Sequence, residues 1–242
     1  MSAGRTARER VRAELIREIT GIARRQLATA GAAGLSLRAV AREMGMVSSA
    51  IYRYFPSRDD LLTALIIDGY NAVGEAVERA DAKAAATAGA KAGADDDFAG
   101  RWLAVCRAVR EWALEHPHEY ALLHGSPVPG YKAPQDTVPA AIRDTVVFTR
   151  IISEAHAAGA LEPAGPCPPP PPSLAEDFAR ARAALTMDIP DDVIARAFTA
   201  WSGLYGTVSF ELFGQFNNVI EERAAYFDHS MALLGRLVGL RP

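Results

Sequence analysis

Between Gly34 and Leu62 the chain has room for only two helices of about two turns each. In GLSLRAVAREMGMVSSAIYRYFPSRDDLL, Gly45 interrupts one apolar repeat and Pro56 ends the next, because proline cannot continue a helical hydrogen-bond ladder. Ser36 is placed to cap the first helix, whose Leu37, Val40, Ala41 and Met44 recur at i, i+3, i+4 and i+7. The second starts near Val47. At about 100° per residue, Val47, Ala50, Ile51 and Tyr54 share an apolar arc, while Ser48, Ser49, Tyr52 and Arg53 crowd the opposite one. This helix is held by one side and presents the other. Such a pair, joined by a glycine turn, reads as a helix-turn-helix, the motif whose second helix lies in the DNA major groove. Small residues such as Ser48 and Ser49 allow close approach, and their hydroxyls serve base edges or phosphates.

The helical period runs through most of the chain. Val11, Leu15, Ile19, Ile22 and Leu27 mark a first helix that ends near the Gly31 to Gly34 turn. Ser57 caps a longer helix, with Asp59 and Asp60 in its first turn, where the macrodipole favours negative charge. The stretch ADAKAAATAGAKAGADDD reads as a loop or frayed helix end between two domains. Asp95, Asp96 and Asp97 read as helix capping ahead of Phe98 in preference to a metal cluster, since consecutive residues on an extended chain diverge. The helix that follows stops at Pro117, then come a short helix and turn, and a further helix from about Thr137 to Ala158. EPAGPCPPPPPS breaks the second domain as a stiff, extended surface connector that exposes Cys167. From Val193 to Phe216 apolar residues occupy nearly every face, and a last helix repeats Phe227, Met231, Leu234 and Val238.

With 242 residues, half of them hydrophobic, the chain can bury a large core. Its charge is uneven. Residues 1 to 58 hold eleven arginines against four glutamates, a surplus of seven, so the rest of a chain of net charge −3 carries −10. A basic head on an acidic body suggests that only the head meets a polyanion. No apolar run is long enough for a membrane span, and the N-terminus lacks the apolar centre of a secretory signal, so a cytoplasmic protein is expected. Cys106 and Cys167 have no paired spacing and no clustered histidines, which suggests neither a disulfide framework nor a zinc site.

Gly34, Ala41, Gly45, Ile51, Tyr52, Phe55, Arg58, Leu61 and Leu62 stand at the spacing of the N-terminal domain of the tetracycline-repressor (TetR) family, which residues 34 to 66 resemble. The resemblance implies an all-α chain: a three-helix helix-turn-helix DNA-binding domain over 1–60, and a larger helical ligand-binding and dimerisation domain over 61–242. It also implies a homodimer that binds a double-stranded DNA operator, most often as a repressor, and leaves it when a small molecule binds the second domain. By position, Arg38 matches a family contact to a base or phosphate, Ser48, Ser49 and Tyr52 match recognition-helix contacts, and Tyr54 matches a phosphate contact although its arc is the inner one. Arg58 stands where the family usually has lysine, and Val47 where many members are polar. With Ser36 and Arg53 these complete the expected DNA-binding set. Arg5 and Arg8 precede the first helix as either a minor-groove arm or a solvated tail.

The same resemblance implies that the last two helices pack against their copies, with Phe213, Phe227, Met231, Leu234 and Val238 in the seam. An effector cavity would be lined by Phe98, Trp102, Tyr120, Phe148, Phe178, Trp201 and Tyr205, with His124 and His156 as polar handles, and would take an apolar or aromatic molecule. Plain core packing is the competing reading for each. WSGLYG at 201 to 206 resembles a Trp-x-x-x-His-Gly signature of one C-terminal subgroup, with Tyr205 in place of the histidine. An enzyme would need a nucleophile and base or a metal set, whereas the histidines are scattered and no phosphate loop occurs, so no catalytic, cofactor or metal residue is expected. A DNA-coating protein without ligand response is the remaining alternative.

Overall fold

The computed structural model describes residues 3–89, 97–162 and 167–241. They form helices α1 (Ala3–Ala30), α2 (Leu37–Glu43), α3 (Ser48–Ile51), α4 (Arg58–Gly89), α5 (Phe98–Glu115), α6 (Pro117–His124), α7 (Val138–Ala141), α8 (Arg143–Ala157), α9 (Ala175–Leu185), α10 (Asp191–Leu212) and α11 (Arg223–Val238). No strand occurs among the described residues; one isolated antiparallel bridge pairs Leu161 with Leu240. The chain divides into two compact units, one of residues 1–69 and 116–138, the other of residues 70–115 and 139–242. The division therefore differs from a single break at residue 60: the first unit also takes the opening of α4 and all of α6.

Local chemistry sets most helix ends. Asp97 Oδ1 accepts from Gly100 N at 2.7 Å and so caps α5, while Asp95 and Asp96 lie outside the described residues. Pro117 occupies the first turn of α6, where a missing N–H costs nothing. Of the two readings of the alanine-rich stretch, the described residues take the helix end, since α4 runs through Gly89. Two expectations need correction. α1 begins at Ala3, so Arg5 and Arg8 lie within the helix and not ahead of it. The helix expected from Thr137 to Ala158 is broken at Ile142 into α7 and α8.

In the first unit, Ile19, Ile22 and Leu27 of α1, Leu37 and Val40 of α2, Ile51 of α3, Phe55, and Leu61, Leu62 and Leu65 of α4 close one core. Leu122 of α6 packs against it. Arg24 of α1 reaches Asp68 of α4 at 2.8 Å and Glu119 of α6 at 3.2 Å, which ties the three helices on the polar side.

The second unit is built on α5, α8, α10 and α11. Trp102 is buried, sets its edge on Phe148 with ring centroids 5.3 Å apart, and donates its indole N–H to Met231 O at 2.9 Å. Arginines stitch the helices together. Arg110 grips Glu211 through two bonds of 2.8 and 2.6 Å, Arg107 grips Asp228, and Arg196 donates to the last carbonyls of α11 at Leu237 and Val238. Arg101 binds the buried Asp81 at 2.7 and 3.1 Å, with Arg150 on the same carboxylate at 2.6 Å and Glu154 on the other side of Arg101 at 2.6 Å.

Candidate nucleic-acid interface

The turn between α2 and α3 is closed by backbone bonds that only a left-handed residue permits. Gly45 has φ 67°, its N–H donates to Arg42 O at 3.1 Å, and Met46 N–H reaches back to Ala41 O at 2.9 Å. This is a Schellman motif with glycine at the position where a Cβ is penalised. Gly34 serves the preceding turn differently: a Cβ there would meet Ala30 Cβ at 2.6 Å. Ser36 caps α2 by accepting from Ala39 N at 3.4 Å and is anchored by Gln26, so its side chain has a structural task.

α3 is shorter than its sequence pattern suggests. Only Ser48–Ile51 is α-helical, and tight i→i−3 bonds at Arg53 and Tyr54 carry the turn onward to Phe55, which Pro56 forces out of the helical region. Ile51 is fully buried, whereas Ser48, Ser49 and Arg53 are exposed and Tyr52 is 41% exposed, as the helix angles require. Val47, which those angles place on the inner arc, is instead 72% exposed, because it precedes the helix as an extended N-cap residue and does not follow the helical rotation. Arg38, on the first turn of α2, is exposed as well. A valine left almost bare at the start of α3 has no packing role in the unit; apolar contact of this kind suits a thymine methyl in the major groove.

Two carried-over contacts look different in three dimensions. Tyr54 packs against the core and lies under the Arg12 guanidinium, 5.5 Å from the ring centroid, so its ring is used within the fold. Arg58 donates to the carbonyl oxygens of Ala32 at 2.7 Å, Leu35 at 3.3 Å and Ala33 at 3.4 Å, which closes the turn ahead of α2. A phosphate would have to compete with these bonds. Arg58→Ala is therefore expected to cost about 1.5–3 kcal/mol of stability, the range for hydrogen bonds from a charged group. Urea unfolding of the variant checks this, and an unchanged midpoint would return Arg58 to a role on DNA alone.

The nine residues expected at an effector site do not gather in one unit. Tyr120 and His124 belong to the first unit, where their rings lie 4.8 Å apart and burial pushes His124 down to about 4, so it is neutral. His156 is exposed on the last turn of α8 and is no handle for an enclosed ligand. Phe98, Trp102, Phe148 and Phe178 are buried in the second unit. The Trp201 and Tyr205 rings lie tilted against each other with centroids 5.2 Å apart, and Tyr205 O–H donates to Asp144, a buried carboxyl whose burial raises it above the usual range against that bond. Among the described residues the buried Trp201 indole N–H meets no hydrogen-bond acceptor. Sequence reasoning missed Asp144, which lies 61 residues from its partner and carries no local signal.

Most residues expected in a dimer seam are packed inside the unit itself. Phe227, Met231 and Val238 are buried within the unit, at 1, 0 and 0% exposure, and Leu234 packs so close to α10 that a Cβ on Gly203 would meet it at 2.8 Å. The apolar residues left outside are Phe198, Phe210 and Phe213 of α10 and its cap, Val219, and Tyr226 and Leu233 of α11. Of the five residues expected in the seam, Phe213 alone belongs to this exposed set.

A helix-turn-helix with a bare outer arc, in a chain that also folds a larger helical unit, defines the class of helix-turn-helix transcription regulators. Residues 19–65 match the family of bacterial regulatory proteins called tetR, and residues 102–234 match the tetracyclin repressor-like C-terminal domain. The chain is 39% identical over 236 residues to the HTH-type transcriptional regulator Rv1816 of Mycobacterium tuberculosis, covering 95% of this chain and 93% of that one. It superposes on the crystal structure of regulatory protein SCO4313 with a TM-score of 0.72 and 35% identity, over 93% and 97% of the two chains. RolR, solved with resorcinol, shares the fold at 15% identity with a TM-score of 0.53, over 96% of this chain and 91% of that one. The chain belongs to the TetR family of transcription regulators.

Proposed function

We propose that the protein is a cytoplasmic repressor that binds a palindromic operator as a homodimer and releases it when a small apolar or aromatic molecule occupies the second unit. The observation that carries the DNA-binding half is the outer arc of α3, where Ser48, Ser49, Tyr52 and Arg53 are exposed together beside the exposed N-cap Val47, on a turn closed by Gly45 and anchored by Ile51. The exposed apolar residues of α10 and α11 support the dimer, since a contiguous apolar face left in water marks an interaction site. The unpartnered Trp201 N–H beside the Tyr205–Asp144 pair supports an effector with a hydrogen-bond acceptor. RolR was solved with resorcinol, an instance of a small aromatic molecule held by the same fold.

Tyr52→Ala and Ser48→Ala are expected to weaken operator binding without changing thermal stability. Arg38→Ala is expected to lower operator affinity by about 1–3 kcal/mol and to relax preference at one base pair if it grips a guanine edge. Titration of the folded variants against operator and random duplex checks both, and wild-type affinity in all three would remove α3 and Arg38 from the interface. For the effector, operator affinity that no aromatic or apolar compound changes would reduce the protein to a constitutive DNA binder.

A further inference from the structure

Among the described residues three carboxylates are buried, those of Asp81, Asp144 and Glu211. Asp81 is held by Arg101 and Arg150, and Glu211 by Arg110. Asp144, 4% exposed in the first turn of α8, has no cationic partner among the described residues. Tyr205 O–H of α10 donates to its Oδ2, and Thr145 O–H to its Oδ1 at 3.3 Å. The adjacent Arg143 is committed elsewhere, to Glu78 at 2.7 Å and Asn71 at 3.2 Å on α4.

The two buried aspartates titrate apart for this reason. Burial pushes both carboxyls up; at Asp81 the arginine bonds outweigh it, whereas at Asp144 the hydroxyl and backbone bonds do not. A helix N-terminus favours a carboxylate, but that task does not require burial. Asp59 and Asp60 at the start of α4 and Asp192 at the start of α10 stand in first turns while exposed.

What surrounds Asp144 is aromatic. Trp201 lies tilted against Tyr205, and its buried indole N–H meets no acceptor among the described residues. On α4, Tyr70 is partly buried and feels the same carboxylate: burial first, then Asp144, push its hydroxyl up. A buried acid without a counter-ion beside aromatic rings selects for positive charge, because the carboxylate supplies the opposite charge and the ring quadrupoles add attraction where water is excluded. A neutral molecule leaves the carboxylate uncompensated. An anion is repelled by it.

We infer that the effector is a cation, an organic amine with an aromatic or apolar body whose ammonium group docks on Asp144 beside Tyr205 and Trp201. The inference rests on the effector reading above and narrows it from apolar or aromatic molecules at large to positively charged ones. Trp201 adds a donor for an oxygen on the same molecule.

The test uses the full-length protein and three probes of one shape: 2-phenoxyethylamine, 2-phenoxyethanol and phenoxyacetate. All carry a phenoxy ring and an ether oxygen and differ in the charge of the head group. Binding is read by calorimetry and operator affinity in a separate titration. The amine is expected to bind the wild-type chain about tenfold or more tightly than the alcohol, with the acetate weaker still. Asp144→Asn keeps an oxygen for the Tyr205 O–H and removes the charge, so in this variant the amine is expected to fall to the level of the alcohol. A melt shows whether the variant folds, and the comparison of probes on the wild-type chain does not need it. Alcohol or acetate bound as tightly as the amine, no amine binding at millimolar concentration, or undiminished amine binding to folded Asp144→Asn overturns the inference. Amine binding that leaves operator affinity unchanged keeps the cation site and removes the regulatory reading, whereas operator release by neutral compounds alone does the reverse.

Discussion

Asp81→Ala is expected to destabilise the second unit by about 3–5 kcal/mol, the cost of leaving a buried charge without its counterpart. Asp81 is only 4% exposed and accepts from Arg101 of α5 and Arg150 of α8. Burial alone would push this carboxyl up, but the bonds from Arg101 and Arg150 outweigh it and hold it below the usual range. Removing it strands Arg101, itself 10% exposed, with Glu154 as its remaining partner. Arg150→Ala removes a half-exposed partner and is expected to cost much less. For a chain of this length the Asp81 variant should melt roughly 6 to 20 °C lower. Calorimetry of both variants checks the ranking, and equal losses would mean that the network is not centred on Asp81. Acid acts in the same direction: the folded-state carboxyl is depressed, so its contribution is present above the ordinary aspartate range and is lost as pH falls through its own lowered value.

The parts of the fold that sequence made legible are those decided within a few residues. Gly45 acts through its left-handed backbone, Ser57 and Asp97 through side-chain caps, and Pro56 and Pro117 through a missing N–H, all on near neighbours, and each stands where its chemistry predicts an end. The arcs of α3 were legible for the same reason, because Ile51 and Tyr52 are separated by a helix angle and by nothing more distant, whereas Val47 escaped it because the extended N-cap does not share the helical rotation. What stayed hidden depends on residues far apart in the chain. Arg58 closes a turn 23 to 26 residues away, which position alone could not distinguish from a phosphate contact. Tyr205 has its partner in α8, and His124 is in the first unit because α6 packs there. The apolar residues of α10 and α11 were the hardest case. Helices that are apolar nearly all round give no period from which to tell the side facing the unit's own core from the side left over.

That last ambiguity decides where a dimer can form, and it can be tested with one contrast. Phe210 is 52% and Leu233 also 52% exposed, and Tyr226 stands seven residues, about two turns, before Leu233 on the same face of α11. Phe210, Phe216 and Tyr226 form a chain of edge contacts at 5.7 and 5.4 Å that ends at the surface. If a second copy covers this face, Phe210→Asp combined with Leu233→Asp places two charges in the seam while leaving the unit's own core untouched. The expected result is a folded monomer at micromolar concentration by sedimentation. Its affinity for a full palindrome should fall by about 10²- to 10⁴-fold, because the second half-site is no longer held at high effective concentration. Affinity for an isolated half-site should not change. Met231→Asp is the contrasting variant: Met231 is fully buried and accepts the Trp102 N–H on its backbone, so the charge should unfold the unit instead of separating two intact copies. A double variant that still sediments as a dimer would move the seam away from this face, and a wild-type chain that sediments as a monomer would remove it.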